Sequence, residues 1–179
     1  NIDKEHEVVT GRGNLSFTSI NLPRIALDNH TPEAFYKRLD EVMELVREQL
    51  LERFEIQARK KVYNFPFLMG QGVWIDSDKL HYDDEIRPVM KHGTLSIGFI
   101  GLAETLVALT GKHHGESEES WKLGYEIVSH MRKKCDEFTK RHQLNFTLLA
   151  TPAEGLSGRF VKIDKKKYGI LPGITDRDY

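Results

Sequence analysis

The sequence predicts an α/β fold in which parallel strands are covered by long amphipathic helices. Three observations carry that expectation. Two long stretches, 31–61 and 117–142, repeat apolar residues every three or four positions. Two short segments, 15–22 and 145–150, have strand composition. The second of these follows a long helical stretch and runs straight into a fresh helix start, the chain order of strands joined by helical crossovers.

In chain order, residues 15–22 place Phe17, Thr18, Ile20 and Leu22 in a strand-like pattern that stops at Pro23. Thr31-Pro32-Glu33 then supplies an N-cap, a proline suited to the first helical position and a first-turn acid. Phe35, Leu39, Val42, Val46, Leu50 and Phe54 continue that helix as an apolar stripe to about Lys61. Residues 64–74 carry Pro66, Gly70 and Gly72 among large apolar side chains, which predicts a loop and a short strand. Residues 92–101, rich in glycine and uncharged after His92, read as a tight apolar turn feeding a helix over 102–109 that Gly111 ends. Trp121, Tyr125, Val128, Met131, Cys135 and Phe138 mark the stripe of the second long helix. After the strand at 145–150, Thr151 can cap and Pro152 can begin another helix, and Asp164-Lys165-Lys166-Lys167 reads as a solvated turn.

Composition narrows the function. The 179 residues are 39% apolar and 30% charged, as expected of one globular unit. The 26 Lys and Arg nearly balance the 27 Asp and Glu, so the net charge of −1 provides no field to gather nucleic acid or hold a membrane surface. The longest nearly apolar run, 97–103, falls far short of the roughly 20 residues that span a bilayer. A single cysteine, Cys135, cannot form an internal disulfide, and a reducing cytoplasm is the expected compartment. The chain opens at Asn1 rather than Met and is expected to be an internal piece of something longer.

Several groups are candidates for chemistry. A strand leading into a capped helix at Thr151-Pro152-Ala153-Glu154-Gly155 would offer backbone N–H groups and a positive dipole end to a phosphate. Two other readings apply there: Thr151 simply caps the helix, or Glu154 is a first-turn acid or the capping-box partner of Thr151. Gly11-Arg12-Gly13-Asn14 combines permissive backbone, a guanidinium able to fork onto an oxyanion and a carboxamide that donates and accepts, against a plain turn. The glycines of His92-Gly93-Thr94 with Gly98 and Gly101 lack the Walker lysine and the full dinucleotide fingerprint, and point to close backbone packing. Cys135 falls on an apolar stripe and reads as an inert core thiol. His113 and His114 do not share a face and have no Cys or His partner at ligand spacing, which favours a surface loop over a metal site.

Taken together, three blocks in order form a recognisable set: Thr10-Gly11-Arg12-Gly13-Asn14-Leu15-Ser16-Phe17-Thr18-Ser19-Ile20-Asn21-Leu22-Pro23-Arg24, His92-Gly93-Thr94-Leu95-Ser96-Ile97-Gly98-Phe99-Ile100-Gly101-Leu102-Ala103-Glu104, and Ala150-Thr151-Pro152-Ala153-Glu154-Gly155. With the closing Thr175-Asp176-Arg177-Asp178-Tyr179, the set resembles the anaerobic, class III, ribonucleoside-triphosphate reductases across nearly the whole chain. The resemblance implies a ten-stranded α/β barrel of the glycyl radical enzymes, shared with pyruvate formate-lyase. It implies reduction of ribonucleotides to deoxyribonucleotides by a C-terminal glycyl radical that generates a thiyl radical on a cysteine.

It also implies what this segment lacks. The family's thiyl cysteine, in a Met-Gly-Cys-Arg type segment before the Gly-Arg-Gly-Asn block, its glycyl radical motif, its zinc-binding cysteines and its ATP-cone region find no match here. Residues 1–179 are therefore expected to be an internal fragment of the catalytic barrel domain, inactive alone. Asn14 resembles the family's asparagine beside the substrate, and Thr151, Pro152, Ala153 and Glu154 look like its substrate-phosphate loop. The absence of cysteine near Asn14 is consistent with formate as reductant, with thiol-dependent members the other possibility. The resemblance further implies a ribonucleoside triphosphate substrate, a radical-SAM activase, a homodimeric enzyme, and zinc and ATP or dNTP effectors bound outside this chain. A free-standing nucleotide-binding module and an acyl lyase of the pyruvate formate-lyase type are the alternatives. The Ser19-Ile20-Asn21-Leu22-Pro23 and Thr151-Pro152-Ala153-Glu154 blocks favour the reductase over the lyase.

Overall fold

The structure is a computed structural model and describes residues 8–177; Asn1, Asp178 and Tyr179, used in the sequence reading, lie outside them. Along the chain come β1 (Asn14–Asn21), α1 (Leu22–Asp28), α2 (Pro32–Ala58), α3 (Arg87–Met90), β2 (Thr94–Ile100), α4 (Leu102–Thr110), α5 (Glu118–His142), β3 (Asn145–Ala150) and α6 (Glu154–Tyr168). The three strands are parallel and pair in the order β1-β2-β3, with helices in both crossovers. The α/β expectation holds, and so do both long helices and the last strand. Thr31 caps α2 as its sequence suggests: its hydroxyl accepts from the Ala34 N–H at 3.3 Å.

The chain groups into two units. The first gathers the described residues up to Thr18 with Val46–Ile97 and Cys135–Thr147. Its interior holds Leu50, Phe54 and Ala58 of α2, Leu95 and Ile97 of β2, and Cys135 and Phe138 of α5, all buried. Phe138 meets Phe146 of β3 edge-on at 5.7 Å between ring centres. From α2, Arg53 donates to Ser16 Oγ and the Phe17 carbonyl, and Gln57 to the Leu15 carbonyl, which ties the helix to β1.

The second unit gathers Ser19–Leu45, Gly98–Lys134 and Leu148–Tyr179. It buries Leu22, Ile25 and Ala26 of α1, Phe35, Leu39 and Met43 of α2, Leu106 of α4, and Ile127 and Met131 of α5. Helix α1 packs on α4. Each such large side chain taken fully from water stabilises its unit by about 1.5–3 kcal/mol.

Five sequence expectations need correction. Residues 94–100 form a strand, β2, where a tight turn was expected; the glycines that suggested a turn mark close approach within a sheet. A helix, α1, begins directly at Leu22-Pro23, with Asn21 Oδ1 accepting from the Arg24 N–H at 3.4 Å. Residues 64–74 contain no strand among the described residues; a single 3-10 turn at Val62–Asn64 is followed by loops, and the Trp74 indole N–H donates to the Val89 carbonyl at 2.9 Å. Asp164 to Lys167 belong to α6, with Asp164 buried. On α5, Trp121 and Tyr125 stand exposed, and Ile127 with Gly124 takes the inward face. A Cβ at Gly124 would sit 3.1 Å from Leu106 Cδ1, so the two helices approach closely on that face.

Candidate functional site

In the second unit the end of β3 does something its sequence hides. Beyond Ala150 the Thr151 N–H donates to the Phe99 carbonyl at 3.0 Å and prolongs the pairing with β2. Its hydroxyl lies 2.7 Å from Ser19 Oγ on β1. Gly98 of β2 lies between them: a Cβ there would fall inside the contact distance of Thr151 Oγ1 and 2.7 Å from Ser19 Oγ. Only a residue without a side chain lets the two hydroxyls meet.

The expectation that Thr151 caps the following helix is therefore overturned. Helix α6 starts three residues later, at Glu154, with Ala153 at the N-cap and no side-chain hydrogen bond closing it. An alanine has nothing to offer the first N–H groups, and the hydroxyl of Thr151, two residues before the N-cap, lies against Ser19. Ser157 Oγ instead donates back to the Ala153 carbonyl. Glu154 and Gly155 are exposed, and a Cβ on Gly155 would meet nothing within 4 Å. Glu154, in the first turn, is favourably placed toward the helix dipole.

A buried polar cluster stands in the same unit. Asp164 of α6 accepts from Asn21 Nδ2 at 2.8 Å and Arg24 Nε at 2.6 Å, and pairs with the Arg24 guanidinium, which also lies 5.4 Å over the Tyr168 ring. The carboxylate is buried and fully engaged, as a buried charge must be. Asn21, Glu104, Ser157 and Asp164, with Pro23, Ile100 and Phe160, line a cavity of about 180 Å³. Nearby, the Tyr168 hydroxyl and then the Lys167 ammonium hold Asp28 below the usual carboxylate range.

In the first unit, Asn14 opens β1 and is exposed; its side-chain carbonyl accepts from the Ser16 N–H at 3.2 Å, which fixes the carboxamide. The preceding glycines are occupied structurally. Gly11 has φ +68 and its carbonyl accepts from the Ile75 N–H at 2.8 Å; the Gly13 carbonyl accepts from the Thr94 N–H at 3.0 Å. Arg12 is half-buried between them. At the base of β2, His92 is buried and its Nε2 donates to Asp76 at 2.8 Å. The Lys79 ammonium first, and His92 after it, lower the Asp76 pKa. Cys135 is buried in this unit, as its stripe suggests, and His113 is exposed in the loop after α4.

Thr151, Pro152, Ala153 and Glu154 thus form one continuous stretch of the second unit, and Asn14 lies in the first. Ser19, Gly98 and Asp164 had no local signature: their partners are separated by 132 residues for Ser19 and 140 for Arg24 with Asp164. The nearest signal was Gly98 itself, a glycine inside a run otherwise suited to a strand.

A profile of the anaerobic ribonucleoside-triphosphate reductase family matches residues 1–179. The chain belongs to that family. It is 35% identical over 180 residues to the anaerobic ribonucleoside-triphosphate reductase of Haemophilus influenzae, covering 99% of this chain and 25% of that protein. With the Escherichia coli enzyme of the same name the identity is 36% over 177 residues, covering 97% and 25%. The enzyme of phage T4 is 33% identical over 181 residues, covering 97% and 28%. The chain thus spans about a quarter of the length of these reductases. Among solved structures, the Thermotoga maritima anaerobic ribonucleotide reductase with glycerol in its active site superposes with a TM-score of 0.70 at 19% identity, covering 89% of this chain and 25% of that one. The citrate form gives 0.71 at 18%. The fold of the matched part of that reductase is therefore shared at a low level of sequence identity.

Proposed function

We propose that this chain is an internal part of the catalytic barrel of an anaerobic ribonucleoside-triphosphate reductase, and that its second unit receives the phosphates of the ribonucleoside triphosphate. The observation that carries the reading is the uncapped start of α6, where Ala153 leaves the N–H groups of Glu154 and Gly155 without a side-chain cap at the exposed N-terminus of a 15-residue helix. An anion is what such a terminus binds, through N–H groups and dipole together. Thr151 and Pro152 lead into that terminus, and Glu154 stands at its first turn.

Asn14 belongs at the substrate ring, where a fixed carboxamide orients a polar group by donating and accepting at once. In the whole enzyme the glycyl and thiyl radicals, carried by residues other than those of this segment, supply the one-electron chemistry, and formate serves as reductant. Zinc and the nucleotide effectors bind elsewhere in that enzyme, which works in the cytoplasm as a ten-stranded-barrel homodimer charged by a radical-SAM activase. No helix among the described residues is long and apolar enough to cross a membrane.

Gly155→Asp in the intact, activated reductase tests the phosphate site. The new carboxylate has open space and suits the helix dipole, so the fold tolerates it, but it occupies and repels where a phosphate would sit. KM for the ribonucleoside triphosphate should rise at least about tenfold, with thermal stability unchanged or improved. An unchanged KM removes the phosphates from this helix.

A further inference from the structure

We infer that Asp76 and His92 are positioning residues for Asn14: their hydrogen bond joins the two segments that grip the loop at 11–13, and so sets where the Asn14 carboxamide is held. The inference rests on the reading of Asn14 at the substrate ring and adds to it two residues from outside that loop. On one side of the loop the Ile75 N–H donates to the Gly11 carbonyl at 2.8 Å, and a Cβ on Gly13 would lie 3.3 Å from the Trp74 ring. On the other side the Thr94 N–H donates to the Gly13 carbonyl at 3.0 Å, and a Cβ on Gly93 would run into the Leu15 side chain. Asn14 therefore leaves a stretch of backbone clamped between residues 73–75 and residues 93–94.

Asp76 directly follows the first of these segments and His92 directly precedes the second. Nε2 of the buried imidazole donates to Asp76 Oδ2 at 2.8 Å, and the other carboxylate oxygen takes the exposed Lys79 ammonium at 2.7 Å. A hydrogen bond to a carboxylate has a defined length and direction, which an apolar contact between the same segments would lack. The Trp74 indole N–H on the Val89 carbonyl is a second tie between the two stretches, so losing the pair should shift the loop rather than unfold it. Asp76 has φ +65, a conformation that glycine enters without strain, which allows its side chain to be removed while its backbone stays in place.

In the intact, activated reductase, Asp76→Gly removes the carboxylate and His92→Leu removes the donor. Each should lower kcat about ten- to a hundredfold, the loss expected when a substrate-orienting group moves by up to about an ångström, with KM for the ribonucleoside triphosphate within about threefold. The double variant should lose no more than either single one. Asp76→Asn and His92→Gln, each able to remake a hydrogen bond across the gap, should recover most of the loss. The background Asn14→Ala separates positioning from a general loss of stability: there Asp76→Gly should lower kcat by less than about twofold, because the group it positions is already gone. An unchanged kcat in either single variant, or the same fractional loss with and without Asn14, overturns the inference. If Asn14→Ala lowers kcat and Asp76→Gly does not, Asn14 keeps its place and only the brace falls; if Asn14→Ala itself leaves kcat unchanged, the reading of Asn14 has failed and this inference with it.

Discussion

Two stretches of this chain advertise anion binding in much the same terms, and the structure treats them oppositely. Around Gly11-Arg12-Gly13 the permissive backbone is consumed internally: carbonyls of Gly11 and Gly13 accept from Ile75 and Thr94, and the glycines lie against the 73–75 segment. Around Thr151-Pro152-Ala153 the expected internal partner is withdrawn, and a helix start is left uncapped. A glycine loop or a capping threonine is therefore a statement about what the backbone can do. Which option it takes depends on what the sheet places beside it.

The contrast can be broken most severely at Gly98. Gly98→Val would force a branched side chain into the space shared by the Ser19 and Thr151 hydroxyls, and should cost about 2–3 kcal/mol, seen as a large fall in the melting temperature of the intact enzyme. A melt matching the parent would show that the bridge over Gly98 is dispensable.

A smaller pair of substitutions sharpens the same contrast by sign. Gly11→Ala places a Cβ on a residue with φ +68 and about 3.0 Å from the Val73 carbonyl, and should destabilise by about 1–2 kcal/mol. Gly155→Ala meets nothing within 4 Å and loses less chain entropy on folding, and should stabilise by about 0.5–1 kcal/mol. Denaturant midpoints moving in the same direction for both would contradict the picture of one closed and one open glycine site.

The smallest effect is on pH dependence. Asp28 has its pKa lowered in the folded state, by the Tyr168 hydroxyl and then by Lys167. Its contribution is fully present above the unfolded carboxylate value, about 3.9, and disappears as the pH falls through the lower folded value. Acid unfolding of Asp28→Asn, followed by circular dichroism below pH 4, should show a shallower loss than the parent; identical acid limbs would mean that the Tyr168 and Lys167 contacts contribute nothing.

What the sequence made legible was whatever is decided within a turn or two of helix. The stripe of α2, the Thr31 cap, the strand at 145–150 and the burial of Cys135 all follow from neighbours three or four residues apart. What it concealed depends on residues distant in the chain. Glycines made β2 look like a turn because the hydroxyls that require Gly98 come from β1 and from the residue just after β3. Asp164 sat in a run of lysines that read as solvated, yet it is buried because Asn21 and Arg24, at the start of the chain, reach it. Thr151 was read as a cap for the same reason: nothing local announces Ser19. The family resemblance recovered the order of the three blocks but not these long-range pairings.

The two tryptophans have a practical consequence. Trp74 is buried in the first unit with its indole N–H on the Val89 carbonyl, and Trp121 is half-exposed in the second, stacked on Tyr125 at 5.8 Å. With only these two in the sequence, each unit carries its own fluorophore, one in an apolar setting and one largely in water. Emission from Trp74 should shift strongly to the red when the first unit opens, and the weaker change from Trp121 should report the loss of its tyrosine neighbour. Single replacement of either tryptophan by phenylalanine would leave one reporter at a time, Trp74 for the first unit or Trp121 for the second, so that the unfolding of each unit is timed against the other.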